Sequence, residues 1–516
     1  VAKREGGANG AGRAVRRAGR VAGPVVGLMV WALLPEAGEA GAAAGAAGLS
    51  HTGRATAGLA AWMALWWITE AIPLYATALL PLAVLPLAGA RPVGAVAAPY
   101  AHELIFLFLG GFVVALAMER WGLHERIALR ALRFVGTRAD RVVGGFMVVT
   151  AGLSMFVSNT ATALVMLPIA LSVVELGGGR GAEHLPQAGP APTSEGARFA
   201  AALLLGVAYG ASIGGVGTLI GTPPNLFLAS FIKSQQGLEI SFARWMAIGL
   251  PLVAVFLPLA WWVLTRVLLP VRGLETAAPE ALRRELGPLH RGERIVLAVA
   301  LATAAAWITR PLLVELEIAG HRPLAGLTDP GIAILAALVL FVLPVDSRRE
   351  RFAMDWETAA RVPWGLLLLF GGGLSLADAI GATGVDTYLG HVVEGWGGLP
   401  PVLLVAGVAA LVLAATELTS NTATTAALVP VLAGIAPGLG VHPFALIVPA
   451  ALAASCAFML PVATPPNAIV FGSGLLTLPQ MARAGLLMNL LAVVLVTLAV
   501  YALALPLLGA TAGLAP

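Results

Sequence analysis

A polar pentapeptide, Ser158-Asn159-Thr160-Ala161-Thr162, returns 262 residues later as Ser420-Asn421-Thr422-Ala423-Thr424. Pro168 and Pro430 follow at the same offset, and Gly110-Gly111 and Gly372-Gly373 precede at it. Downstream, Thr222-Pro223-Pro224-Asn225 recurs as Thr464-Pro465-Pro466-Asn467, now 242 residues on. The 20 residues lost correspond to a longer polar loop in the first half, around 177–196. Two motifs repeated in one order at consistent offsets mark an internal duplication, which ties the fold to two copies of one helical unit.

The stretches around these motifs are apolar. The chain is 59% hydrophobic and 11% charged, against about 25% charged for soluble domains. Runs such as 295–308 and 332–345 need lipid around them, and transmembrane helices tolerate the 61 glycines and 35 prolines. A spanning helix takes roughly 20 apolar residues. Eleven segments fit: 22–44, 56–70, 73–90, 102–119, 200–232, 245–267, 292–313, 328–345, 363–380, 443–473 and 483–508. Segments 142–176 and 400–435 are too long for one helix, and polar residues cut each in the middle. Halves that short predict two re-entrant hairpins, with the Ser-Asn-Thr motifs at their tips. The expected fold is therefore an all-α polytopic membrane protein of about eleven spans plus two hairpins.

Five crossings separate the start of the first copy from the second, so the copies have inverted topology. With the N-terminus cytoplasmic, 25 of the 31 Lys and Arg residues fall on the cytoplasmic side; Arg54, Arg91, Lys233, Arg244, Arg310 and Arg322 are the rest. The positive-inside rule supports that orientation in a cytoplasmic membrane. It also accounts for the pI near 9.6 without a nucleic-acid partner. Residues 1–21, basic and rich in Gly and Ala, are expected to form a disordered cytoplasmic tail. The single cysteine, Cys456, forms no internal disulfide, and the eight histidines show no ligand spacing.

The tips carry the chemistry. Ser, Asn and Thr satisfy free N–H groups at helix N-termini, and proline suits a first helical turn. Spans 200–232 and 443–473 are thus expected to break and restart near Pro223 and Pro465. Four half-helix N-termini would offer partial positive charge and free amides to an anion. No Lys or Arg lies within these motifs. Exposed carbonyls beside the oxygens of Ser154, Ser158, Asn159, Thr416, Thr419 and Asn421 suit a hard cation such as Na+. A serine enzyme built on Ser158 or Ser420 would lack a base, since neither motif holds a histidine.

From about Ala60 onward the chain resembles the divalent anion/sodium symporter family of bacterial dicarboxylate transporters and animal sodium-coupled di- and tricarboxylate carriers. The resemblance rests on Trp66-Trp67-Ile68-Thr69-Glu70-Ala71-Ile72-Pro73, Ile105 to Gly111, Trp121-Gly122-Leu123-His124, both Ser-Asn-Thr motifs, and Ser455 through Val470. It implies a homodimer in which a transport domain slides like an elevator against a scaffold. The scaffold would comprise 22–119 and 268–380, and the transport parts 120–267 and 381–516. One Na+ site would use Ser154, Ser158, Asn159 and Gly221; its mate would use Thr416, Thr419, Asn421 and Ala463. A dicarboxylate would meet Ser158, Asn159, Thr160, Ser420, Asn421 and Thr422, with Thr222, Pro223, Thr464 and Pro465 nearby. The expected activity is sodium-coupled symport of a succinate-like C4 dicarboxylate. A sodium-independent dicarboxylate exchanger, or a sulfate or tricarboxylate carrier, is the alternative within the family. Glu417, beside the second tip, is expected to bond hairpin backbone, with a functional role as the weaker reading.

Overall fold

The computed structural model describes residues 2–36, 48–177, 195–271, 287–318, 320–346, 348, 350–394 and 398–510. The chain is mostly helical. Its first helix is α1 (Ala2–Leu33), and among the described residues the further helices of seven or more residues form two runs of nine in matching order. The first run is α2 (His51–Thr69), α3 (Leu80–Leu87), α4 (Glu103–Arg120), α5 (Leu123–Leu132), α6 (Ala139–Ser154), α7 (Asn159–Gly177), α8 (Glu195–Gly215), α9 (Pro223–Gln236) and α10 (Phe242–Trp262). The second is α11 (Arg291–Leu313), α12 (Asp329–Val342), α13 (Trp364–Ala382), α14 (Val385–Val393), α15 (Pro401–Thr416), α16 (Asn421–Ile435), α17 (Phe444–Ala454), α18 (Pro465–Phe471) and α19 (Leu478–Ala499). Details repeat as well: α5 and α14 both start from a glycine with positive φ, Gly122 at 63° and Gly384 at 73°. Both α10 and α19 run on into a π-helical turn. A short antiparallel ladder of 344–346 with 351–352 departs from the all-helical expectation.

Among the described residues, six helices are long and apolar enough to cross a membrane, and six more apolar helices have 10–17 residues. Each expected span holds helix. Three are interrupted: 73–90 at residues 78–79, 200–232 between Gly215 and Pro223, and 443–473 between Ala454 and Pro465. The expected first span reached 44, but α1 ends at Leu33, and 37–47 lie outside the described residues.

Residues 13–21 are not the disordered tail expected of them; they continue α1. Alanine and arginine favour helix, and tertiary bonds hold this stretch in place. Arg16 pairs with Glu70 at 2.8 Å, Arg20 Nε donates to Ala71 O at 2.9 Å, and Trp66 Nε1 donates to Gly19 O at 2.9 Å. A basic, Gly-rich composition concealed a docking face.

The two runs interlock. Helix α4 packs on α12, and α13 packs on the region of α3. Both approaches need glycine at the duplicated Gly-Gly pairs, where a Cβ at Gly110 would collide with the Ala333 backbone and one at Gly372 with the Ala78 carbonyl. Elsewhere α8 lies along α6 and α7, while α17 lies along α15 and α16.

A buried ion pair ties α5 to the start of α11. Arg126 Nε reaches Glu293 Oε1 at 2.6 Å, and its Nη1 donates to Gly287 O at 2.6 Å. The other Glu293 oxygen accepts from His290 N at 2.7 Å, closing a capping box. Both side chains are at most 12% exposed, so removing one partner strands a charge. Arg126→Met is expected to cost about 3–5 kcal/mol, seen as a lower melting temperature of the purified protein in detergent.

Candidate ion and anion site

Helix α6 ends at Ser154 and α7 begins at Asn159, so a four-residue turn makes the first tip. Ser158 Oγ accepts from Ala161 N at 3.2 Å, the expected N-cap. Ser154 Oγ lies 2.5 Å from Asn159 Oδ1. That amide oxygen faces other acceptors, and an amide turned the opposite way would donate to Ala211 O and Gly221 O, each at 3.3 Å. Four oxygens therefore converge, with one hydroxyl hydrogen among them. Such a cluster is stable when the amide rotates to donate, or when a cation sits among the oxygens. The space is open because position 215 is glycine: a Cβ there would stand 2.8 Å from Asn159 Oδ1 and 3.1 Å from Gly221 O.

The second tip repeats the first. Thr416 Oγ1 lies 2.5 Å from Asn421 Oδ1 and 3.1 Å from Ala454 O. Ser420 Oγ caps α16 through Ala423 N at 3.5 Å. Thr419 is turned elsewhere, to Ala415 O at 2.8 Å and Thr424 Oγ1 at 2.6 Å. The Ala463 N–H donates to Leu460 O at 3.2 Å, and among the described residues no hydrogen bond joins Ala463 to Asn421. Among the described residues no group of three or more His, Cys, Asp and Glu forms a metal cluster. The two oxygen sets are neutral, which suits a hard monovalent cation over a transition metal.

Both helix breaks are held by a residue whose part the sequence reading did not assign. Asn225 Nδ2 donates to Gly215 O, Val216 O and Thr218 O at 3.1, 3.4 and 2.8 Å. Its repeat mate, Asn467, donates to Ala457 O at 3.4 Å and Leu460 O at 3.0 Å. The signal was present, since both close the duplicated Thr-Pro-Pro-Asn motif. Thr464 caps α18 through Asn467 N at 3.3 Å. Thr222 does not cap α9; its hydroxyl meets Ser455 Oγ at 3.3 Å and bridges the two repeats. Pro223 and Pro465 occupy first-turn positions, as expected.

The half-helices cross over. Helix α9 packs on α16 of the second hairpin, and α18 packs on α7 of the first. Thr160 lies in the first turn of α7 and Thr422 in that of α16, the two helices that receive these half-helices; among the described residues no hydrogen bond joins the two tips directly. Beside Ser158, a cavity of about 10 Å³, room for about one water, is lined by Phe108, Gly111, Phe112 and Ile220. Glu417 bonds backbone, as anticipated, but that of the second break loop: Phe458 N, Met459 N and Leu460 N.

Interrupted helices gathered around paired helical hairpins define a polytopic membrane protein of a transporter fold. The YdaH transporter of Alcanivorax borkumensis superposes with a TM-score of 0.55 at 16% identity, covering 77% of this chain and 85% of that one. MtrF of Neisseria gonorrhoeae does so at 0.53 and 14% identity, covering 83% and 85%. Residues 30–508 match the sodium:sulfate symporter transmembrane region, and the chain belongs to that family. It is 43% identical over 468 residues to the sodium-dependent dicarboxylate transporter SdcS of Staphylococcus saprophyticus, covering 89% of this chain and 88% of that protein. Against SdcS of Staphylococcus aureus the identity is 42% over 446 residues, covering 85% and 84%.

Proposed function

We propose that this chain is a sodium-coupled symporter of C4 dicarboxylates in the cytoplasmic membrane, with its N-terminus inside. The observation that carries the proposal is the duplicated oxygen cluster, Ser154–Asn159–Gly221 and Thr416–Asn421–Ala454 O. It occurs in a chain more than 40% identical to transporters named for sodium and dicarboxylates. The pairs α6–α7 and α15–α16 are re-entrant hairpins entering from opposite faces, because the copies are inverted. Na+ binds among the oxygens at each tip, with Ser154, Asn159, Gly221, Thr416 and Asn421 as ligands and Ser158, Thr419 and Ala463 contributing backbone. One carboxylate then lies at the Asn159–Thr160 N-terminus and the other at Asn421–Thr422, with Thr222, Pro223, Thr464 and Pro465 closing the sides.

The order of binding follows from charge. The tips hold no cationic side chain, so an anion relies on helix dipoles and free amides until Na+ has entered. Sodium first makes the site positive, and the anion follows. Residues 120–267 and 381–516 move as one transport unit against a scaffold of 22–119 and 268–380, in a homodimer. Each net charge carried couples to about 2.3 kcal/mol per 100 mV.

Radiolabelled succinate uptake into liposomes holding the purified protein tests this. An inward Na+ gradient is expected to drive uptake with no internal dicarboxylate, and a K+ gradient is not. Uptake that requires preloaded dicarboxylate and ignores Na+ would make the protein an exchanger. Citrate and sulfate as competitors set the anion preference.

A further inference from the structure

Glu417 is 5% exposed and, among the described residues, forms no ion pair. Its partners are all N–H donors: Phe458 N at 2.8 Å, Met459 N at 3.0 and 3.2 Å, Leu460 N at 3.0 Å, and Asn489 Nδ2 at 2.7 Å. Three successive amides make an anion nest that the carboxylate fills from within the protein. Phe458 is itself wedged between the rings of Tyr209 and Phe256, with centroids at 5.1 and 5.8 Å. Buried charges are normally paired or coordinate a cation. Here the residue immediately before the carboxylate in sequence is Thr416, whose hydroxyl meets Asn421 Oδ1 and Ala454 O in the second oxygen cluster.

The first repeat has no such charge. Met155 stands at the position equivalent to Glu417. The break loop there is held by neutral groups: Thr218 Oγ1 donates to Met155 O, and Trp245 Nε1 donates to Val216 O at 3.0 Å. The two copies share their oxygen clusters but differ by one carboxylate.

We propose that Glu417 is the fixed counter-charge and positioning group of the second cation site, which makes the two sodium sites unequal. It rests on the sodium-symport reading and names what that reading leaves symmetric. Glu417 touches neither ion nor anion; it acts through the field it places beside Thr416–Asn421 and through the loop it clamps. The second site fills first, and the neutral first site sets the sodium concentration at which transport saturates only after the second is occupied. Without the carboxylate, the second site becomes the weaker of the two.

The test compares wild-type protein with Glu417→Gln, which keeps the shape and removes the charge. Two readouts are taken: succinate uptake against external Na+, and the Na+ concentration that half-maximally raises the melting temperature without substrate. Glu417→Gln is expected to move both midpoints upward by about tenfold, with the uptake deficit made up at high Na+. A loss of maximal rate with unmoved Na+ midpoints would reduce Glu417 to a structural clamp and overturn the proposal. Should Glu417→Gln fail to fold, Asn489→Leu keeps the charge and frees one side of it. Its Na+ midpoints are expected to rise two- to fivefold, and unmoved midpoints overturn the proposal equally. Wild-type uptake and melting indifferent to Na+ would remove the symport reading together with the counter-charge; sodium dependence that Glu417→Gln leaves in place removes the counter-charge alone.

Discussion

Asn421→Ala is expected to lower sodium-driven succinate uptake by a hundredfold or more at low millimolar Na+, and Asn159→Ala to do the same. Each asparagine has two tasks. Its amide group meets the hydroxyl of Thr416 or Ser154 at 2.5 Å, and its backbone opens the half-helix that the proposed function assigns to the anion. Truncation leaves the surrounding oxygens short of a partner, and stranding one buried polar group costs about 1–3 kcal/mol. That corresponds to about fivefold to 150-fold in sodium affinity. In the proposed order the anion follows the cation, so the deficit is expected to compound when Na+ is scarce. Initial rates across a sodium series decide the matter: a steep rightward shift is expected for both variants. Rates that keep the wild-type sodium dependence would remove Asn159 and Asn421 from the cation sites.

The helix starts at both asparagines were legible because the duplication advertises them. A word repeated at a fixed offset marks positions where two copies do one job, and the helix starts at Asn159 and Asn421 fall at those words. The breaks at Gly215–Pro223 and Ala454–Pro465 were legible from Thr-Pro-Pro, since local chain stiffness dictates a helix start there. Bonds made across the fold were not legible. Nothing local to Asn225 reports that its amide gathers three carbonyls up to ten residues back. The Thr222–Ser455 bridge spans 233 residues, and the target of Glu417 lies 41 residues on, in another element. The repeat does not report where its copies diverge: Thr222 and Thr464 share a motif, yet only the Thr464 side chain caps its helix. The docked stretch of α1 was missed for a related reason, because its partners, Trp66 and Glu70, lie on α2 and at its end.

Gly214→Leu is expected to prevent the first hairpin from packing, with little folded protein recovered. The reason is a glycine stripe on α8. Gly206, Gly210 and Gly214 recur every four residues and so share one helix face, which lies along α6. A Cβ at Gly206 would stand 3.0 Å from Met147 Cγ, a side-chain atom that can move. One at Gly210 would stand 2.9 Å from Met147 O. At Gly214 it would collide with the Cα and carbonyl of Ala151, whose carbonyl carbon is only 2.7 Å away. Backbone in a helix cannot step aside, so the helices themselves must separate. Small residues let membrane helices approach this closely, and dispersion across the contact then holds them. Overpacking typically costs about 1–3 kcal/mol and occasionally more; a leucine driven into the Ala151 backbone belongs at the upper end. The milder Gly214→Ala tests the link to function. Pushing α6 away moves Ser154, one turn beyond Ala151, off Asn159, while Gly215 is the next residue along α8. Protein that folds should therefore bind Na+ more weakly, read as a higher sodium midpoint for thermal stabilisation. Gly152→Ala is the control, one residue from Ala151 on α6, where an added Cβ meets nothing within 4 Å. A helical Gly→Ala exchange without a clash is worth about 0.5–1 kcal/mol in favour of alanine, so this variant should melt at or above the wild-type temperature. Similar behaviour of Gly152→Ala and Gly214→Ala would mean that α6 and α8 are not held at backbone contact, and that the first oxygen cluster does not depend on their spacing.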